Sequence, residues 1–199
     1  MRYLILLVLL FSACTKVDEK PVITADALDT KQVEPAPPKM DVPLKAFEIL
    51  VDLEGMESIP YQDGNGRSVG YGFAIAHLTP EELALIENVE NVKEEEANAV
   101  LKIKINKLIK KMEREIEGWE TIEGGRKLAL ISMAFQLGVE NVLAISPNKS
   151  KNWPRFIGYV KEAAVSKGMK RETLFNKAAD EMILNVNSRG HKFKTYWYN

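Results

Sequence analysis

Residues 45–73 read KAFEILVDLEGMESIPYQDGNGRSVGYGF, and two structural periods meet inside this stretch. In its first part Ala46, Phe47, Leu50, Val51 and Leu53 recur at helical spacing, and Gly55 ends the run. Beyond Met56 that period gives way to turn residues, first Asp63-Gly64-Asn65-Gly66 and then Gly70-Tyr71-Gly72. Turn clusters spaced this closely, with Val69 and Phe73 beside them, predict a hairpin of short strands. A helix that leads directly into a hairpin carries its last turn next to a loop. Three side chains able to do chemistry stand there. Glu54 ends the helix, Asp63 follows nine residues later in the glycine-rich loop, and Ser68 comes five residues after that, entering a strand.

Outward toward the C-terminus the pattern is helical. Thr79-Pro80-Glu81-Glu82 is a helix start, with Thr as cap, Pro in the first turn and Glu completing a capping box. Over 92–117, Ala97, Leu101, Ile105, Leu108, Met112 and Ile116 step by three and four along one face, which predicts a long helix. Arg126 to Leu137 is a strongly apolar helix stopped by Gly138, and two further helices are expected near 153–167 and 171–184. The fold class these elements predict is α+β and mostly helical. It comprises a small β-hairpin lobe, a long connecting helix and a helical C-terminal lobe. A cleft between two such lobes is the expected place for a site.

Outward toward the N-terminus the character changes again. Residues 15–44 hold Pro21, Pro35, Pro37, Pro38 and Pro43, no aromatic residue and no surviving period, so they read as an extended linker. Roughly 30 residues at about 3 Å each would reach up to ~90 Å. Ahead of them Arg2 is followed by an apolar run from Tyr3 to Phe11, then Ser12-Ala13 and the only cysteine, Cys14. The run is too short to span a bilayer stably and reads as a secretory signal. Its end resembles the lipobox of bacterial lipoproteins, with Phe11 where leucine is usual. The expected organisation is therefore a signal peptide at 1–13, a lipidated Cys14 with a proline-rich linker to 44, and one domain at 45–199. Thr15 stands where inner-membrane retention signals usually place Asp, so the resemblance implies an exported lipoprotein on the outer membrane, facing the periplasm. Without lipidation of Cys14 the same reading gives a secreted protein.

Composition excludes several classes. A single cysteine allows no intrachain disulfide, and two histidines, His77 and His191, make a zinc hydrolase site implausible. Net charge is −1, which gives no push toward nucleic acid. Charge is nonetheless uneven. Residues 81–123 carry 12 acidic and 7 basic side chains, whereas 142–199 carry 11 basic and 4 acidic, a half that either attracts an acidic polymer such as peptidoglycan or simply forms solvated helix faces. Glycosidic cleavage needs one acid to protonate the leaving oxygen and a second carboxylate to activate water or attack carbon. Spacing by itself also allows Glu54 to be a solvated helix-end charge and Asp63 to be part of an ordinary turn.

The segment resembles the catalytic segment of phage-type lysozymes, glycoside hydrolase family 24. Members have Glu at the end of the first helix, Asp nine residues later, and Thr before a Gly-aromatic-Gly strand. Glu54, Asp63 and Tyr61 match, and Ser68 takes the Thr position in a loop one residue shorter. Residues 126–138 resemble the central helix of the helical lobe, from which Phe135 and Gln136 would reach the cleft. Ala178-Ala179-Asp180-Glu181-Met182 and Asn187-Ser188-Arg189 resemble the closing helices, where the matching Arg pairs with the catalytic Glu. The resemblance covers about residues 45–195.

What the resemblance implies is a monomeric muramidase acting on peptidoglycan glycan strands between MurNAc and GlcNAc, with inversion and with no metal or organic cofactor. Glu54 would be the general acid, Asp63 the base or electrostatic partner, and Ser68 would position water. Gln136, Phe135 and Arg189 would support the site or bind substrate. Tyr61 and Tyr71 read as core, and His77 and His191 as surface residues. Three departures stand out: Ser68 for Thr, Phe73 for the His after Gly-aromatic-Gly, and Val186 for a Pro. They point toward a modified glycan, such as N-deacetylated peptidoglycan, and toward weak activity. Two alternatives stay open: a lipoprotein that only binds peptidoglycan, and a lytic transglycosylase.

Overall fold

The computed structural model describes residues 40–64, 66–149, 153–185 and 196–198, with side chains described as far as Met182 and again over 196–198. Helix α1 spans Val42–Glu54. The last three residues of the expected linker, 42–44, therefore belong to the helix. Asp41 caps it by accepting from the Leu44 amide, and Pro43 fits the first turn, where no helical N–H is required. Gly55, at φ +68°, ends it.

The hairpin lobe follows. Strands β1 (Glu57–Asp63), β2 (Gly66–Gly70) and β3 (Phe73–Ala74) form one antiparallel sheet in chain order. The expected hairpin thus gains a third strand. Gly70 at φ +66° and Gly72 at φ +78° turn the chain tightly enough for Val69 to pair with Phe73. A Cβ on Gly70 would come within 2.9 Å of the Phe73 ring, so sterics as well as φ require glycine there. Tyr71 is buried and donates from its hydroxyl to Asn98 Oδ1 at 2.7 Å, fastening the turn to the long helix.

That helix, α3 (Glu94–Glu115), connects two cores. Ala97, Val100, Leu101 and Ile105 pack with Ala46, Leu50, Val69, Tyr71 and Phe73 on the sheet side. Met112 and Ile116 join a second cluster built on α4 (Gly124–Leu137), α5 (Val139–Val142), α6 (Pro154–Val165) and α7 (Gly168–Asn185). Helix α4 serves both. Leu128 and Ile131 face the sheet-side cluster, while Ala129, Leu130, Met133 and Ala134 face the other. Trp197 closes the helical lobe against Phe156 and Phe175 at centroid distances of 6.0 and 5.7 Å. The observed class is the expected one, mostly helical with a small sheet lobe.

Where the sheet lobe meets α3 lies the short helix α2 (Pro80–Leu83), which closes the predicted capping box between Thr79 and Glu82. Glu82 is buried at 2% exposure and accepts from the Thr79 amide at 3.0 Å, from Lys104 at 3.2 Å and from Lys107 at 3.2 Å. Burial alone would raise its pKa. The Thr79 amide and the two lysines outweigh that and hold the carboxyl below its ordinary 4.5. A depressed pKa contributes stability that is complete above 4.5 and is lost as pH falls through the lower folded value. Glu82→Gln is expected to cost about 1–3 kcal/mol at neutral pH, because it leaves two ammonium groups without their shared carboxylate. Urea unfolding of both proteins at pH 7 and pH 3 tests this: the gap should narrow in acid, and a gap independent of pH would contradict it.

Candidate active site

Helices α1 and α4 bring Glu54 and Gln136 together, and the β1–β2 hairpin brings Asp63 and Ser68 together. Glu54 occupies the last helical residue of α1 and is half-buried. Gln136, one residue from the end of α4, donates from its Nε2 to Glu54 Oε1 at 2.9 Å. This bond spans the chain from the helix before the sheet to the helical lobe. It directs the Gln136 amide at the carboxylate.

Asp63 ends β1, where the backbone pairs it with Gly66, and its side chain is exposed. Ser68 lies in β2, paired in register with Tyr61, and is fully buried. Its hydroxyl donates to Asp63 Oδ2 at 2.5 Å. The hydroxyl proton is therefore directed at the carboxylate, from a side chain buried in the sheet. Sequence spacing placed the hydroxyl near the acid, and only the antiparallel register decided which way it faces.

Tyr61 departs from expectation. Its side chain is 38% exposed, so it is no core residue. Desolvation, followed by the negative charges of Asp63, Glu57 and Glu54, pushes its phenol above the usual 10. Both proposed acids thus border one tyrosine. A signal for this was present, because Tyr61 and Asp63 are two apart on a strand and share a face. Tyr71, buried at 1%, is the core residue it was expected to be.

Phe135 and Gln136 line a cavity of about 610 Å³ with Ala74, His77, Asn141 and Trp153. His77 is exposed, as expected, yet it stands on this groove. Phe73 has the Lys104 ammonium 5.5 Å from its ring centroid, a cation–π contact. Cys14, Arg189, Val186 and His191 lie outside the described residues, and so do the signal, most of the linker and the expected Arg189–Glu54 pair. Among the described residues no cluster of three or more His, Cys, Asp or Glu could hold a metal ion.

Residues 51–181 match the sequence model described as Phage lysozyme. The chain belongs to the phage lysozyme family. The match takes in Glu54, Asp63, Ser68, Phe135 and Gln136 and stops short of Arg189. Among solved structures, the muramidase domain of SpmX from Asticaccaulis excentricus resembles it with a TM-score of 0.52 at 16% identity, covering 78% of this chain and 95% of that one. That likeness shows the lysozyme-like fold. No curated protein sequence shows significant similarity to the chain. Membership in the phage lysozyme family supports the activity class of a peptidoglycan-cleaving glycosidase.

Proposed function

We propose that the chain is a muramidase that hydrolyses the β-1,4 bond between MurNAc and GlcNAc. The observation that carries the proposal is a pair of carboxylates, each held by a side-chain hydrogen bond and both acting on Tyr61. Glu54 is held by Gln136 from the helical lobe, and Asp63 by Ser68 within the sheet lobe. In the proposed reaction protonated Glu54 gives its proton to the glycosidic oxygen as the C–O bond breaks. Water attacks the anomeric carbon and yields its proton to Asp63. Attack from the face opposite the leaving group inverts that carbon, the outcome the family resemblance implies. Phe135 offers the groove an apolar wall, and Arg189 is proposed to pair with Glu54. Neither metal nor organic cofactor enters this chemistry.

Mass spectrometry of purified wall after incubation tests the reading. Reducing MurNAc ends support hydrolysis. Anhydro-muramic ends identify a lytic transglycosylase, and binding without any product identifies a wall-binding protein. Running acetylated and N-deacetylated wall in parallel tests the proposed preference for a modified glycan, which rests on Ser68 and Phe73.

We further propose that Cys14 is lipidated after removal of residues 1–13 and that the linker holds the enzyme near the outer membrane. More than one acyl chain anchors a protein far more firmly than a single chain. Cys14→Ala is expected to move the protein from the membrane fraction to the soluble one with wall-cleaving activity unchanged. Fractionation after growth with a lipid label checks this, and unchanged membrane association would remove the anchor.

A further inference from the structure

A second cavity, of about 320 Å³, adjoins the groove and shares Ala74, His77 and Phe135 with it. Its charged lining is Glu82, Lys104 and Lys107; Phe73, Leu108 and Ala134 supply apolar wall. Donors and acceptors there do not balance. Glu82 accepts at Oε2 from the Thr79 amide and Lys104 and at Oε1 from Lys107, so both of its oxygens are used. Lys107 spreads its three N–H groups over Glu81 Oε2, Glu82 Oε1 and Thr79 Oγ1. Lys104 gives one N–H to Glu82, and its other neighbour is the Phe73 ring. Its side chain is 23% exposed. An ammonium with donors to spare among the described residues, on a cavity whose other walls are largely apolar, matches a ligand carrying a carboxylate.

The geometry points to a carboxylate-binding subsite at Lys104, beside the glycan groove, that receives a free carboxylate on the peptide stem borne by muramic acid. This rests on the muramidase reading, since continuity with the groove is what selects a stem carboxylate over a free one. A lysine in place of an arginine suits the role: it presents a point charge and makes no demand for planar, bidentate approach. The subsite would favour strands whose stems keep free acids over strands whose stem acids are amidated.

The test uses the full chain carrying Glu54→Gln, so that ligands bind without turnover. Calorimetry compares a GlcNAc–MurNAc tetrasaccharide with free-acid peptide stems, the same compound with amidated stems, and free glutarate. With Lys104 present, the free-acid form should bind about tenfold tighter than the amide, the worth of one charge-assisted contact. Lys104→Met should remove that difference while leaving affinity for the amide unchanged, and Lys104→Arg should restore part of it. Equal affinity for acid and amide, or a preference that survives Lys104→Met in a folded protein, overturns the subsite alone. Failure of both tetrasaccharides to bind overturns the glycan reading and the subsite with it. Glutarate binding as tight as the stem-bearing ligand would show a site for free carboxylates, contrary to the inference.

Discussion

Glu54→Gln should lower the rate of wall hydrolysis by at least ~100-fold, the scale of a lost acid group. The substitution is nearly isosteric, so Gln136 still finds an acceptor at the position of Oε1 and the protein should unfold at close to its original temperature. What disappears is the transferable proton. The decisive measurement is kcat/KM on purified wall beside a thermal melt of the same sample. A variant that keeps its melting temperature and loses its rate assigns Glu54 to the chemistry. A variant as fast as the unaltered protein removes Glu54 as the acid, whatever the family would suggest. Gln136→Ala gives a milder comparison. It frees the Glu54 carboxylate without removing it, so the loss should be smaller and should fall mainly on kcat.

The second large effect is expected at Asp63. Asp63→Asn should slow turnover by ~100-fold or more, because an amide accepts no proton from water. Ser68→Ala should cost roughly tenfold, about 1.4 kcal/mol in the barrier, by releasing the carboxylate that the hydroxyl holds at 2.5 Å. If Ser68 acts only through Asp63, the two losses will not multiply, and the double variant should be no slower than Asp63→Asn alone. Ser68→Thr keeps the hydroxyl, and the strand favours a β-branched residue, so its rate should stay near that of the parent. Additive losses in the double variant would instead give Ser68 a contact of its own with water or sugar.

Much of this arrangement was legible from local patterns. The step from helical period to turn residues within residues 45–73 is enough to put Glu54 at a helix end and Asp63 beside a tight turn. The capping box at Thr79 and the apolar face from Ala97 to Ile116 are also local, and both formed as read. Less was legible wherever a residue's role depends on a partner far along the chain. Tyr61 read as core, yet β1 leaves it exposed beside Asp63. Gln136 could reach the cleft from its helix, but its actual partner lies 82 residues earlier. Glu82 gave a clear local signal as a capping residue and none for the two lysines that meet it from α3, 22 and 25 residues on.

The sequence by itself therefore determined which elements form and which chemical groups they carry. Backbone preference and hydrophobic period act over a few residues and need no knowledge of the rest of the chain. The tertiary structure alone decided how those groups are used. Packing α4 between the two cores sets Gln136 against Glu54, and antiparallel register turns the Ser68 hydroxyl onto Asp63. Docking α2 on α3 leaves Lys104 with more donors than acceptors. Each of these is a contact between distant segments. Hydrogen bonds and ion pairs act over a few ångströms in space, and only burial of the two cores brings those segments within that range.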